Sequence, residues 1–434
     1  MVRNVEVERQ KRPIDLNIDM TIGIYGIASQ SGHAYFADML SRGYRVVGYN
    51  RLSPHGQEVI EAIHTAGGIF LERPENANHE ESHFVPLGDS EVTSDIKQLV
   101  EESDIIIISL PSTYHEDAVR EMCNAGLTEK KTPIVLSPSR SVASPYMWRI
   151  LGEKYPVICL STCPYSCKSP KPGTALIKRR KRTFIASLEG EVNHNHVNMM
   201  RELFPQAALT RIPALTTLNN IGAVFHCATY MLNIDEIERR KASGEVFSFY
   251  MDGIAARPEV GQVLEQIDQV RLQIAHKLGL QTFGLKERPR EDIWRKLTNA
   301  LRALEEESAD DIDILRHIRK EFTEFLDSCV LSSQHWLDIT YGVVRQEGEC
   351  LSSAIGRTPT YQNNSVPQLR YVTEDIPTGL VVYEALAKMF GIDASVCTGI
   401  IDMYDKRFND NIRMKGRNLS GFDKIQIENY LLGK

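Results

Sequence analysis

The chain has 434 residues, of which 42% are hydrophobic and 25% are charged, and its formal net charge is −7. This length predicts two domains, and the acidic balance argues against a dedicated nucleic-acid-binding protein. No stretch approaches the roughly 18 consecutive apolar residues that a membrane-spanning helix needs. We therefore expect a globular protein that contacts neither nucleic acid nor a membrane.

The N-terminus and the cysteines indicate where such a protein resides. Residues 1–19 are polar and lack the apolar core of a signal peptide, so they are interpreted as an N-terminal arm. Eight scattered cysteines are typical of reduced thiols in the cytosol. Cys159, Cys163 and Cys167 recur every four residues, but no histidine pair lies near them in sequence, and we expect no metal site. These features favour a cytoplasmic protein.

A nucleotide-binding pattern begins after the arm. A short apolar run, 21–25, precedes a glycine-bearing turn, a helical stretch that ends at Gly43, and a second apolar run, 44–49. Strand, turn, helix and strand in this order place a pyrophosphate at a helix N-terminus. The turn departs from G-x-G-x-x-G, and the alternative is an ordinary turn that binds no cofactor. The turn residues predicted to bind cofactor are Gly26, Ala28, Ser29, Gln30, Ser31 and Gly32.

The end of the second strand bears on which cofactor is used. An NAD-specific site has an acidic residue there, which accepts a hydrogen bond from the ribose 2′-hydroxyl. This chain has Arg51 and Ser53 instead, which can bind a 2′-phosphate by charge and hydrogen bond. The alternative is a solvated loop arginine. The sequence favours NADP, with NADPH preferred over NADH.

Two further segments of the first half carry candidate residues. Residues 104–111 contain four consecutive isoleucines and are predicted to form a buried parallel strand. Pro111 and Ser112 should then lie at the carboxyl edge of the sheet, where ligands bind. His115 is interpreted as a helix-start residue, with a ligand contact as the alternative. The basic run 178–182 is interpreted as a solvated hairpin tip, with steering of anions as the alternative.

Helical periodicity replaces the strand pattern after residue 213. The expected fold is therefore an α/β Rossmann-type doubly wound parallel sheet over 20–213, followed by an all-α domain over 214–434. The predicted helices include 258–278, 294–305, 312–331 and 377–390, and 357–373 is predicted to be an irregular loop.

Two segments of the second half contain the groups needed to protonate, orient and hold a carboxylate substrate. The first, 218–226, carries Asn220 and places His226 in an apolar helical stretch. The second, 370–377, places Arg370 five residues before Asp375, where a helix should begin. A histidine, a carboxylate and a guanidinium can supply acid–base chemistry and bidentate binding. A lone histidine on an apolar helix is otherwise a core residue.

These segments resemble the opine dehydrogenases, the octopine/nopaline dehydrogenase family. Segment 218–226 is similar to the family's L-x-N-x-N-x-x-x-H-P stretch, and 370–381 to its R-Y-x-x-E-D-x-P-x-G-L-V segment. The resemblance implies a catalytic dyad of His226 and Asp375, with Arg370 holding a substrate carboxylate. Asn220 is expected to bind the substrate or to hold the histidine helix. Glu374 is expected to cap a helix, with assistance to the dyad as the alternative.

The chain departs from the family pattern at several positions. Cys227 stands where the family usually has proline, and Gly222 where it often has a second asparagine. The altered glycine turn and Arg51 resemble the NADPH-using branch that makes opine metallophores, the staphylopine-type enzymes.

The resemblance implies an opine dehydrogenase. Such an enzyme condenses an amino acid or amine with a 2-oxo acid and reduces the resulting imine with NADPH. Two other functions stay open: an NAD(P)-dependent reductase of 2-oxo acids or hydroxyacids, which needs no amine, and a non-catalytic NADP-binding sensor. The expected partners are small molecules, and a homodimer is one expectation for the assembly.

Overall fold

A computed structural model describes residues 20–74, 81–303, 312–327, 329–362 and 366–434. The predicted N-terminal arm, 1–19, lies outside these residues. The strands are β1 Thr21–Tyr25, β2 Arg45–Tyr49, β3 Gly68–Glu72, β4 His83–Pro86, β5 Glu91–Thr93, β6 Ile105–Ile108, β7 Ile134–Leu136, β8 Val157–Leu160, β9 Tyr165–Lys168, β10 Thr174–Arg180, β11 Phe184–Glu189, β12 Ala207–Thr210, β13 Gln281–Phe283 and β14 Cys329–Leu331.

Helices alternate with these strands in the first half and dominate the second. Those of the first half are α1 Gln30–Ser41, α2 Pro54–Ala66, α3 Ile96–Glu102, α4 His115–Asn124, α5 Leu127–Lys130, α6 Ser144–Leu151 and α7 His194–Leu203. Those of the second are α8 Pro213–Leu218, α9 Gly222–Leu232, α10 Ile234–Ser243, α11 Pro258–Lys277, α12 Glu291–Ala303, α13 Ile312–Leu326, α14 Ser333–Tyr341, α15 Leu351–Gly356, α16 Pro359–Gln362, α17 Arg370–Thr373, α18 Val381–Phe390, α19 Ser395–Phe408, α20 Ile412–Lys415 and α21 Lys424–Leu431. A 3₁₀ turn at Ser112–Tyr114 and π-helical turns at Met251–Ala255 and Ile376–Leu380 complete the set.

The first half is built on an eight-stranded sheet in the order β12-β11-β8-β7-β6-β1-β2-β5. All neighbours are parallel except β8 and β11. The strands are continuous apolar runs because helices cover both faces of the sheet, and all four isoleucines of β6 are fully buried. From β1 the chain moves to β2 on one side and later to β6 on the other. This reversal creates the crevice at the carboxyl edge where such sheets bind ligands. The predicted Rossmann-type fold is confirmed.

A second sheet of four strands, in the order β4-β3-β10-β9, packs beside the large one. The prediction of a hairpin tip at 178–182 is wrong. Strand β10 continues through the basic run to Arg180, and the chain then enters β11 of the other sheet. A register shift between Ile177 and Arg179 interrupts the pairing of β10 with β9. Such a bulge re-aims the side chains that follow it.

The second half is helical, as predicted, with two departures. The helix expected over 312–331 ends at Leu326, and β14 follows and pairs in parallel with β13. Helical periodicity alone cannot separate a short apolar strand from a helix end. The predicted loop 357–373 also contains two short helices, α16 and α17, and Arg370 begins the second of them.

The last part of the chain returns to the first half. The buried guanidinium of Arg417 donates hydrogen bonds from Nη1 to the backbone oxygens of Ser139 and Ser141, at 2.8 and 2.9 Å. Tyr430 donates from its hydroxyl to Glu189 of β11 at 2.7 Å. Among the described helices, none combines the length and apolar character needed to cross a bilayer.

Candidate active site between the two halves of the chain

The structure brings His226 and Asp375 together although they are 149 residues apart. His226 lies on α9 and Asp375 precedes the π-helical turn, and Nδ1 of the imidazole is 2.7 Å from Oδ2 of the carboxylate. An ionised carboxylate can only accept, so Nδ1 carries the proton in this arrangement. Nε2 is then left as the nitrogen that can receive a proton or, in the imidazolium form, donate one.

Aromatic rings fix the plane of the histidine. The ring of Tyr371 stacks on His226 with centroids 4.1 Å apart and an interplanar angle of 16°. Phe249 meets the same imidazole edge-on at 6.0 Å. An imidazole confined between rings and oriented by a carboxylate has little rotational freedom. Such preorganisation is what a proton-transfer group requires.

Arg140 holds the aspartate from its other side. Its Nη1 lies 3.0 Å from Oδ1 of Asp375 and its Nε lies 3.2 Å from Oε1 of Glu374. The residue sits in the loop after β7, in the left-handed region with φ of +61°. Although burial opposes its charge, Asp375 and then Glu374 raise the pKa of the Arg140 guanidinium. His226, Asp375 and Arg140 thus form a row of three interacting groups.

Glu374 has a different role from the predicted helix cap. Its Oε1 accepts from the backbone N–H of Ser112 at 3.0 Å and from the Ser112 hydroxyl at 3.2 Å. Burial alone would raise its pKa, but the charge and hydrogen bond of Arg140 outweigh burial and lower the pKa of Glu374 to about 2. The carboxylate therefore links the helical half to the edge of the Rossmann sheet.

Gly222 explains how Arg140 can approach. A Cβ at this position would lie 3.0 Å from Nη1 of Arg140 and 3.2 Å from Oδ1 of Asp375. These distances are tighter than ordinary contacts, so the ion pair would have to shift by a few tenths of an ångström to accept a side chain here. The glycine that departs from the family pattern is thus the residue that leaves room for the third group of the row.

The other residues predicted to bind substrate lie around this row. Asn220 is buried, and its Nδ2 donates to the hydroxyl of Ser141 at 3.2 Å. Arg370 is 56% exposed. Its Nε donates to Gln368 at 2.5 Å, and its Nη1 is 4.0 Å from Glu374. Arg370 therefore stands at the rim of the site, and its predicted hold on a substrate carboxylate stays a prediction.

The glycine turn has the close packing that dinucleotide binding requires. Gly26 has φ of +93°, and a Cβ there would lie 2.7 Å from Leu110. A Cβ on Gly32 would lie 2.1 Å from the backbone oxygen of Gly26. Ser29 caps α1 and accepts from the N–H of Gly32 at 2.8 Å. A tight turn that opens a capped helix fits a pyrophosphate. Ala28 lies on this turn, and Gln30 is the first residue of α1.

Other predicted cofactor residues already have partners. The hydroxyls of Ser31 and Ser109 are 2.7 Å apart. Ser112 is buried and its N–H and hydroxyl are engaged by Glu374. Pro111 precedes the 3₁₀ turn at Ser112–Tyr114. His115 is fully buried, and burial followed by the charge of Arg417 lowers its pKa to about 3. It is a structural residue of the α4 start.

A carboxylate from α4 lies at the end of β2, and the local sequence gave no sign of it. Nε of Arg51 is 2.6 Å from Oε2 of Glu121, which lies on α4. The same carboxylate accepts from the hydroxyls of Tyr25 and Tyr49. Ser53 caps α2 by accepting from the N–H of Gly56 at 3.0 Å. Arg51 and Ser53 thus lie side by side at an exposed helix start.

A cavity of about 280 Å³ opens beside His226 and is lined by both halves of the chain. From the helical half come Asn220, Phe225, His226, Tyr250 and Tyr341; from the first half come Arg140, Thr162 and four consecutive residues from Arg179 to Arg182. Arg370 is not among the lining residues. The cavity is the space in which a substrate can meet Nε2 of His226.

Sequence reasoning missed two features of this site. Arg140 follows β7 at the carboxyl edge of the sheet, where a charged residue between two serines signals a ligand-facing loop. No sequence pattern predicted that residues 179–182 line the cavity, because this orientation depends on the bulge in β10 and on the passage of the chain from one sheet to the other.

Comparison with known proteins agrees with this architecture. Residues 214–407 match the model of the NAD/NADP octopine/nopaline dehydrogenase alpha-helical domain. The opine dehydrogenase of Arthrobacter sp. (strain 1C) is 22% identical over 407 residues, which cover 92% of this chain and 94% of that protein.

Solved structures give the same result for the fold. Octopine dehydrogenase with NADH and L-arginine has a TM-score of 0.67 at 16% identity, covering 96% of this chain and 98% of its own. Yersinopine dehydrogenase with NADP⁺ has a TM-score of 0.55 at 13% identity, covering 95% and 98%. Fold and matches define an NAD(P)-dependent oxidoreductase of the class that acts on CH–NH bonds. The helical half of the chain, residues 214–407, is thus matched by the octopine/nopaline dehydrogenase family model, and the chain is similar to an opine dehydrogenase over 92% of its length.

Proposed function

We propose that this protein catalyses the NADPH-dependent reductive condensation of an amino acid or amine with a 2-oxo acid. The observation that carries the proposal is the row formed by His226, Asp375 and Arg140 at the edge of a cavity lined by both halves. The amine and the ketone lose water to form an imine, and reduction of the imine gives a secondary amine flanked by two carbon centres.

His226 is the proposed general acid/base. Its Nε2 takes up and returns protons as the amine adds, water leaves and the product nitrogen is protonated, which typically contributes about 10²–10⁴-fold. Asp375 holds the tautomer and stabilises the imidazolium. Arg370 is proposed to move inward from the rim and to bind the oxo-acid carboxylate through its planar fork. Asn220 positions the loop that begins α9.

The bound nicotinamide would supply the hydride that reduces the imine carbon. The residues of this chain proposed to hold the cofactor are the glycine turn, Gly26 to Gly32, and the Arg51 and Ser53 pair at the start of α2. The preference for NADPH rests on that pair. Arg51 is half-exposed and held by one carboxylate, so a 2′-phosphate can take it over.

The product class suggests a finer role. A secondary amine between carboxylates is a donor set that chelates divalent metals. Synthesis of a metal-carrying opine, as in the enzymes of the NADPH-using branch, is therefore the proposed biological use.

The deciding experiment follows NADPH oxidation with pyruvate alone, with pyruvate plus a panel of amino acids, and with neither. Turnover that requires the amine, with a condensed product seen by mass spectrometry, is expected. Turnover with pyruvate alone would instead identify a reductase of 2-oxo acids. Cofactor binding without turnover across the panel would identify a sensor.

A further inference from the structure

The basic run on β10 divides into two pairs of residues with different surroundings. Arg180 forms an ion pair with Asp38 of α1, and Arg182 donates to the backbone oxygen of Leu301 at 3.0 Å. These two residues serve the packing of the two sheets and of α12. Arg179 and Lys181 alternate with these two residues in sequence. Within the described part of the chain, their side chains are held neither by a carboxylate nor by a backbone oxygen.

Arg179 and Lys181 line the cavity that contains His226. The guanidinium of Arg179 lies over the ring of Tyr341, 5.7 Å from its centre. The ammonium of Lys181 donates to the hydroxyl of Thr162 at 2.6 Å. Within the described part of the chain, neither cation is paired with a carboxylate. Each keeps donors for a ligand, since guanidinium has five and ammonium three.

The balance of charge in the cavity is strongly positive although the whole chain carries −7. Its lining has six cationic side chains, Arg140, Arg179, Arg180, Lys181, Arg182 and Arg302, and a single carboxylate, Asp338. Arg140 and Arg180 are neutralised by carboxylates behind the lining, and Arg302 lies 3.7 Å from Asp338. Of the other three cations, Arg182 is held at the backbone oxygen of Leu301, so the cations of the lining that are left for a ligand are Arg179 and Lys181.

Two local effects describe the electrostatic surroundings of Lys181. Burial lowers the pKa of its ammonium. Its neighbour Cys163, through a hydrogen bond from Cys167 and then through the charge of Lys181, has a thiol pKa lowered to about 7. A half-buried ammonium that donates to a single hydroxyl is stabilised in its charged form when an anion binds beside it.

We propose that Arg179 and Lys181 form an anion site for a second carboxylate of the amine substrate. The substrate class is then an amino acid with an acidic side chain, or a longer amine that carries several carboxylates. This inference rests on the proposed function, in which Arg370 and His226 serve the oxo acid and the reacting nitrogen. The anion site would select among amine substrates by the charge that lies remote from the reacting nitrogen.

The test compares matched amine pairs, L-glutamate with L-glutamine and L-aspartate with L-asparagine, each with pyruvate and NADPH. The wild type should use the better acid with a kcat/KM about ten- to a hundredfold above that of its amide, as expected for one or two charge-assisted hydrogen bonds. The double variant Arg179→Gln/Lys181→Met should lose this preference. Lys178→Met removes an exposed charge outside the cavity and is the matched control.

Two results would overturn the anion site. Equal or better use of the amides by the wild type overturns the anion site, as does a double-variant defect confined to the KM for NADPH, which would assign these cations to the cofactor. Lys181→Arg, which keeps the charge, should retain most of the preference.

A second measurement holds even if no amine is turned over and the proposed function fails. L-glutamate is then titrated by calorimetry into the protein with NADP⁺. Binding that the double variant loses and Lys178→Met keeps supports the site, and absent or unchanged binding rejects it. Circular dichroism of each variant verifies that it is folded.

Discussion

The acid–base centre and the adenosine end of the cofactor site are built on opposite principles. Behind His226, the two carboxylates are buried and already paired: Asp375 is 1% exposed and is held by both the imidazole and Arg140, and Glu374 is held by Arg140. At the end of β2, Arg51 is 49% exposed and its pairing with Glu121 faces solvent. The first region keeps one geometry, whereas the second can exchange its partner for a ligand.

This difference in burial predicts a different function for the charges of each region. A buried network contributes orientation, and losing one member leaves another charge without compensation. An exposed pair contributes little stability, because solvent screens it, but its cation remains available to a phosphate. Variants in the first region should therefore affect turnover and folding, and variants in the second should affect cofactor choice alone.

The largest effect is expected at the histidine. His226→Gln should lower kcat by about 10²–10⁴-fold because the proton-transfer group is lost. Asp375→Asn should also lower kcat, since an amide stabilises the wrong tautomer. Steady-state kinetics measure both, and fluorescence titration with NADPH is the control for intact cofactor binding. Near-normal turnover of His226→Gln would make the histidine a core residue.

Arg140 should matter nearly as much, and for stability as well. Arg140→Met leaves Asp375 and Glu374 buried without their cation, which should cost about 3–5 kcal/mol of unfolding free energy. The pH profile of kcat should shift too, because the carboxylate that orients His226 loses its partner. Urea denaturation and the profile are the two measurements. A destabilised variant with an unshifted profile would limit Arg140 to a structural role.

Glu374 provides a test by pH. Its pKa is lowered to about 2 in the folded protein, so the unfolded chain binds more protons between that value and its ordinary pKa. The carboxylate contributes about 3 kcal/mol above that ordinary value, and the contribution is lost as pH falls toward 2. Wild type should exceed Glu374→Gln in stability at pH 7, with the gap narrowing below about pH 4.5. A gap independent of pH would contradict the ionised link.

At the adenosine end the effects should be smaller and selective. Arg51→Ala should raise the KM for NADPH by about ten- to a hundredfold and barely change that for NADH, because one charge-assisted contact to the 2′-phosphate is lost. Glu121→Gln, which releases Arg51, should change the preference in the opposite direction. Equal use of both cofactors by the wild type would remove the basis for the NADPH proposal.

Variants of Arg370 test whether this residue at the rim of the site binds the oxo acid during turnover. Arg370→Lys keeps the charge but loses the planar fork, so the KM for the oxo acid should rise about tenfold while NADPH affinity stays unchanged. Thermal melting is the control. A large loss of melting temperature with normal oxo-acid kinetics would mean that Arg370 serves its contact with Glu374.

The sequence predicted the features that repeat locally. The strand–turn–helix order at Gly26, the start of α11 at Pro258 and the α18 end before Gly391 all depend on short-range patterns. The approach of His226 to Asp375 was predicted through resemblance to a family. Arg140, Glu121 and the inward face of 179–182 could not be predicted, because each depends on which distant segments meet. Glu374 was misassigned for the same reason, since its partner Ser112 is 262 residues away.

Arg417 sets an order of events for the newborn chain. It ties the backbone of Ser139 and Ser141, and thereby the loop that carries Arg140, from a position 278 residues after Ser139. A ribosome would have completed the Rossmann half, the histidine helix and the aspartate before this arginine emerged. Until then the loop has only its contacts with earlier segments, such as the hydrogen bond from Asn220 to Ser141. The full set of contacts that holds Arg140 beside Asp375 should accordingly be complete only after Arg417 has been synthesised.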